Sequence, residues 1–129
     1  MTFLPVTSHD ALDLDVLRDE LAPLIGERAV ALFGHAISDG FGGALAHASR
    51  RALVAGGENP DAPQVTEAEQ LLIDWGRAIG RDPRAVAADL DDRLAAAFSP
   101  ASRTVLVAYA ARVVAANVFV SVGRVDIAS

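Results

Sequence analysis

The chain has 129 residues, with 26 alanines, 11 arginines, 17 acidic residues, no lysine, no cysteine and a formal net charge of −6. Lacking cysteine it has no disulfide, thiolate nucleophile or cysteine metal site, and lacking lysine it has no Schiff base, pyridoxal phosphate anchor or phosphate-loop lysine. The negative charge argues against a general nucleic-acid binder, and the length predicts one domain over residues 1–129.

Met1–Val6 has no basic region and no long apolar run, so no secretory signal is expected there. Thr7 or Ser8 is expected to cap a first helix running to about Leu21, with Asp10, Asp13 and Asp15 near its positive end. Pro23 and Gly26 punctuate it, and a second helix is predicted from about Gly26 to Ile37. Ser38–Asp39 offers the next cap. Gly40, Gly42 and Gly43 crowd the turn into a third helix, which runs through Leu45, Ala48 and Leu53 to Gly56–Gly57. Residues 56–65 form the one obvious loop.

Three well-signalled helices follow. Thr66 and Glu69 spell a capping box for a helix ending near Gly80. Asp82–Pro83 is expected to open the next, whose Val86, Leu90, Leu94 and Phe98 recur at intervals of four. Ser99–Pro100 opens the last, to about Val122. Nothing alternates with a period of two, so the predicted class is all-α, with about six helices.

Thr104–Val122 spans 19 mostly apolar residues, long enough to cross a bilayer. Arg112 near its centre would cost roughly 2.5–3.5 kcal/mol on insertion scales. A central helix of a soluble, cytoplasmic bundle with no membrane partner is the expectation. Only 7 aromatic residues are present, so the core must be built from Ala, Val and Leu, and a bundle of such small side chains is helped by subunit contacts. A homo-oligomer is expected.

The densest polar grouping lies between Glu27 and His47, with His35, Asp39 and three glycines between them. His35 and Asp39 are one helical turn apart if the helix reaches that far, and within the third helix Gly40, Gly43 and His47 fall on one face. A face of small residues beside a histidine leaves either a pocket or a place where another helix packs closely, and both readings stay open on spacing alone. Gly40-Phe41-Gly42-Gly43 lacks the third glycine and the preceding strand of a dinucleotide loop. His35, Asp39 and His47 match no metal-ligand spacing, so neither a metal nor a cofactor is assigned. Tyr109 and Trp75 are expected in the core, and Arg112 and Asn117 at a subunit interface or lining the cavity.

The pattern resembles the helical domains of alkyl-hydroperoxide reductase D and carboxymuconolactone decarboxylase over roughly residues 25–126. In the peroxidase-like members a Glu on one helix precedes Cys-x-x-Cys-x-x-x-His at the start of the next. Here Glu27 stands at the Glu position, Gly40 and Gly43 stand where the cysteines would be, and His47 keeps the histidine spacing. Ala55-Gly56-Gly57-Glu58-Asn59-Pro60 resembles the family's helix-ending turn, and the order from Thr66 to Asn117 follows its helices. The resemblance implies a trimer or hexamer. Peroxide reduction needs a thiolate and a resolving thiol, so the missing cysteines exclude it.

What the resemblance leaves is proton transfer, with Glu27 and His47 as the catalytic pair, acting without a cofactor. The reaction would be a decarboxylation, isomerisation or elimination on a small carboxylated or carbonyl substrate. His35, Asp39, Gly40, Gly43 and Arg50 are the expected substrate-binding residues, with Arg50, Arg51 or backbone N–H groups of the glycine turn holding an oxyanion or carboxylate. The alternative is a catalytically inactive relative serving as a small-molecule-binding or structural oligomeric module.

Overall fold

The computed structural model of the chain describes residues 6–61 and 63–123. Six helices follow one another: α1 (Val6–Ile25), α2 (Glu27–Phe41), α3 (Ala44–Ala55), α4 (Glu67–Arg81), α5 (Ala88–Ala97) and α6 (Pro100–Gly123). The described residues contain no strand, and the protein is all-α. α2 lies at the centre, packed most extensively on α4 and also on α1, α3 and α6. Phe33, Ile37, Leu72, Leu106, Val30 and Leu21 are fully enclosed along it. Phe33 stacks on Trp75 with ring centroids 5.3 Å apart and meets Tyr109 at 6.1 Å.

The expected boundaries hold where side chains do the capping. Thr66 Oγ1 accepts from the Glu69 N–H at 3.1 Å while Glu69 returns the bond to the Thr66 N–H at 2.9 Å, which starts α4. Ser99 Oγ accepts from the Ser102 N–H at the start of α6. Elsewhere the boundaries move. Pro23 does not end α1, because a proline removes one donor but its fixed φ remains helical; the break falls at Gly26, whose φ is 95°. Ser38 and Asp39 are not a cap. α2 runs through both, and Gly42, in the left-handed conformation at φ 80°, ends it instead.

The start of α5 is also displaced. Asp82 takes the next two N–H groups for itself, Arg84 on its side chain and Ala85 on its carbonyl, which makes a turn and delays the helix to Ala88. The predicted cap at Thr7 or Ser8 and the acids Asp10 and Asp13 concern side chains outside the described residues.

α6 is long and apolar enough, by length and composition, to cross a membrane. One side of it is core, with Leu106, Tyr109, Ala110, Val113 and Asn117 buried. The other side exposes Val107, Val118 and Val122.

Candidate functional site

Helices α2 and α3 form an antiparallel hairpin about Gly42–Gly43, and the hairpin sets which polar residues meet. His35 and Ser49 each lie seven residues from Gly42, and His35 Nδ1 is 2.7 Å from Ser49 Oγ. The Ser49 hydroxyl donates to the Ala46 carbonyl at 3.1 Å, so Nδ1 carries the proton and donates to Ser49. Neutral His35 therefore keeps its lone pair on Nε2. That atom has no partner among the described residues and is not buried. Further along the hairpin Arg28 bonds Glu58 and Glu69, both at 2.8 Å, and the Gln64 carbonyl, tying the 56–66 loop to the start of α2.

The same register separates the expected catalytic pair. His47 lies opposite the Ile37 level of α2, so Glu27 is about 15 Å away along the helix at 1.5 Å per residue. Both side chains are exposed. Glu27 lies in the first turn of α2, where a carboxylate complements the helix dipole. The shared face of Gly40, Gly43 and His47 does not form, because Gly40 belongs to α2 and Gly43 is the residue before α3. A Cβ at Gly40 would fall on the Arg77 carbonyl oxygen, and one at Gly43 would lie 3.0 Å from Ser121 Oγ. Both glycines let helices approach closely; neither opens a pocket.

Asp39 is exposed and pairs with Arg77 at 3.4 Å. Arg50 is committed to both oxygens of Asp61, at 2.7 and 2.6 Å. His35, Asp39 and His47 do not gather, and among the described residues no group of three His, Asp or Glu side chains is placed to hold a metal ion.

Of the expected binding residues, His35 is the one that lines the cleft of about 340 Å³ between α1, α2, α3 and α6. Its floor is one face of α2, Ala31, Gly34, His35 and Ser38, whose spacing stacks small residues around the imidazole. Ser49 and Leu45 close it from α3, Tyr109 and Val113 from α6, and Arg18 stands at the α1 side. Beneath it Asn117 is 1% exposed and donates to Ser38 Oγ at 3.1 Å and to the Val113 carbonyl at 2.9 Å. Asn117 thus ties α6 to α2 inside one chain, where a subunit interface was the alternative. Its Oδ1 is buried without a partner among the described residues.

Burial holds the His35 imidazole below the usual histidine range, opposed by Asp39 and Asp61 and reinforced by Arg50 and Arg77. A pH effect on stability follows. The unfolded chain binds a proton near the ordinary value of 6.5 while the native chain resists it, so the unfolded state holds more protons as the pH falls. The His35 contribution is expected to be complete above that pH and to disappear as the pH drops through the lower native value. Urea midpoints measured from pH 7.5 to 5 should fall more for the parent protein than for His35→Gln, and identical slopes would show that His35 is not coupled to folding.

Ser49, Ser38, Arg18 and Tyr109 were not singled out as site residues from the sequence. The symmetric placement of His35 and Ser49 about Gly42 was the available signal, and it becomes usable once α2 is known to reach Phe41. Comparison with protein-family models, with curated proteins and with solved structures finds no match for this chain.

Proposed function

We propose that the protein performs cofactor-independent acid–base chemistry on a small, largely apolar carbonyl or carboxylated compound bound in the α1/α2/α3/α6 cleft. His35 is the general base in place of the Glu27–His47 pair. The observation that carries this reading is the 2.7 Å His35–Ser49 contact on the cleft wall. It orients the imidazole and leaves Nε2 as the proton acceptor, and burial keeps the ring neutral at physiological pH. Decarboxylation, isomerisation and elimination all require such a base or its conjugate acid.

The family placement with carboxymuconolactone decarboxylase-like domains is part of the same proposal, supported by the order of the helices. So are a soluble, cytoplasmic location and a homo-oligomeric state, trimer or hexamer; the exposed Val107, Val118 and Val122 of α6 support the oligomer. That exposed face also favours the second reading, an oligomeric binding module without catalysis.

Proton abstraction can be tested before the natural substrate is known. Incubated in D2O with levulinate, a stable oxo acid, the protein is expected to speed deuterium exchange at the carbons beside the ketone. The His35→Gln variant should lose about 10²–10⁴-fold of that rate, the usual contribution of one acid–base group. Exchange read by proton NMR at equal rates in both proteins, or none in the parent, would favour the binding module.

A further inference from the structure

Gly34 and Tyr109 give the cleft a second chemical pole. Gly34 immediately precedes His35 on α2, and a Cβ built on it would lie 2.9 Å from the Tyr109 hydroxyl oxygen. The hydroxyl therefore occupies the space that any other residue would fill. Tyr109 is 4% exposed, and its ring is held against Phe33 from the far side, so the position of the hydroxyl is set by packing. Arg18, paired with Asp15 at 3.0 Å, lines the same cleft as Tyr109, His35 and Ser49, with its charge near the hydroxyl.

We propose that the Tyr109 hydroxyl, assisted by the Arg18 guanidinium, donates to the oxygen of the bound carbonyl compound and stabilises the enolate formed when His35 takes the adjacent proton. The inference rests on His35 being the base of this cleft. In the step, His35 Nε2 accepts the proton of the carbon next to the carbonyl. The C–H electron pair becomes the carbon–carbon double bond, and the carbonyl π pair moves onto oxygen, which Tyr109 O–H and Arg18 hold. Return of a proton from His35 to carbon, after exchange with solvent, restores the ketone. No redox partner is needed.

Burial raises the Tyr109 pKa and Arg18 opposes the rise, so the phenol remains a donor at neutral pH. Donors preorganised where charge develops are worth more than the same donors in water. Gly34 is the positioning residue, because a methyl group there would displace the hydroxyl.

The test uses two readouts. Tyr109→Phe removes the hydroxyl while leaving the ring that packs on Phe33. It is expected to lower kcat for levulinate exchange by about 10²–10³-fold, with KM and the pH dependence set by His35 largely unchanged. Gly34→Ala should lose a similar factor, and the double variant little more than either alone. The second readout is independent of turnover. 4-Nitrophenol, an apolar phenol whose anion is coloured, should bind the parent protein with its pKa lowered, and Tyr109→Phe should abolish that shift. Exchange that depends on His35 but not on Tyr109 would overturn this inference and leave the base assignment standing. If levulinate does not exchange, the nitrophenol result stands alone. A parent protein that fails to bind the phenol, or binds it without shifting its ionisation, overturns the proposed oxyanion site.

Discussion

Gly80→Ala is expected to destabilise the protein by about 3 kcal/mol, although alanine is the better helix former by about 1 kcal/mol. A Cβ at Gly80 would fall on the Ile37 carbonyl oxygen, with the Ile37 carbonyl carbon and the Phe41 nitrogen each at 2.9 Å. All three are backbone atoms of α2, so no rotamer change relieves the clash and the two helices must separate. Gly76, one turn earlier, faces the Ala36 Cβ at 3.0 Å and the Phe33 carbonyl at 3.1 Å, and Gly40 faces the Arg77 carbonyl. Separating α2 from α4 would loosen the largest helix pair of the fold and the Phe33–Trp75 stack with it. In thermal unfolding followed by circular dichroism, the fall in Tm should be roughly 10 °C. Gly56→Ala is the control. Its Cβ would meet the Leu53 and Ala52 carbonyls at ordinary distances of 3.5 and 3.6 Å, and its effect should stay within about 0.5 kcal/mol. Equal effects at the two positions would mean that the α2–α4 contact is looser than described.

Phe33→Ala should cost about 3–5 kcal/mol, the usual range for emptying a fully enclosed aromatic site. Phe33 is 0% exposed, lies nearly parallel to Trp75 with an interplanar angle of 6°, and backs the Tyr109 ring. Both ring contacts found among the described residues involve Phe33, so its loss removes both. Urea unfolding read by Trp75 fluorescence measures the loss. Phe33→Leu, which retains more of the volume, should show a smaller one. Because Phe33 supports the ring that carries the cleft hydroxyl, Phe33→Leu is also expected to slow levulinate exchange without changing the His35 pH dependence. Loss of stability with unchanged exchange would separate the core from the site.

The glycines show how far local signals reach. Gly26, Gly42 and Gly57 sit at positive φ, where the missing side chain matters to one residue's own backbone. Two of these three, Gly42 and Gly57, lie in the stretches expected to turn, and Gly26 marks the end of α1. Gly40 looked like part of a turn from the sequence yet lies inside α2, and Gly80, near the end of α4 as expected, also faces a neighbouring helix; each is required by that neighbour and not by its own φ. The four-residue spacing of Gly76 and Gly80 was the visible hint of a close-packing face. Ser38 and Asp39 failed as a cap for the same reason. The Ser38 hydroxyl is bonded by Asn117, 79 residues away, and a local cap competes poorly with a buried tertiary partner.

The helical class, the number and order of the helices, the Thr66–Glu69 cap and the exclusion of thiol and lysine chemistry are determined by the sequence by itself. Each depends on residue type or on spacing within about one turn of helix, where neighbours along the chain are also neighbours in space. Which polar groups share a cleft was decided only by the tertiary structure. The α2–α3 hairpin sets His35 against Ser49 and keeps Glu27 away from His47, while α6 brings Tyr109 over Gly34. Those pairings follow from where the hairpin turns and which helix faces are small enough to touch. A shift of a few residues in either changes every partner, although the helices themselves would read the same.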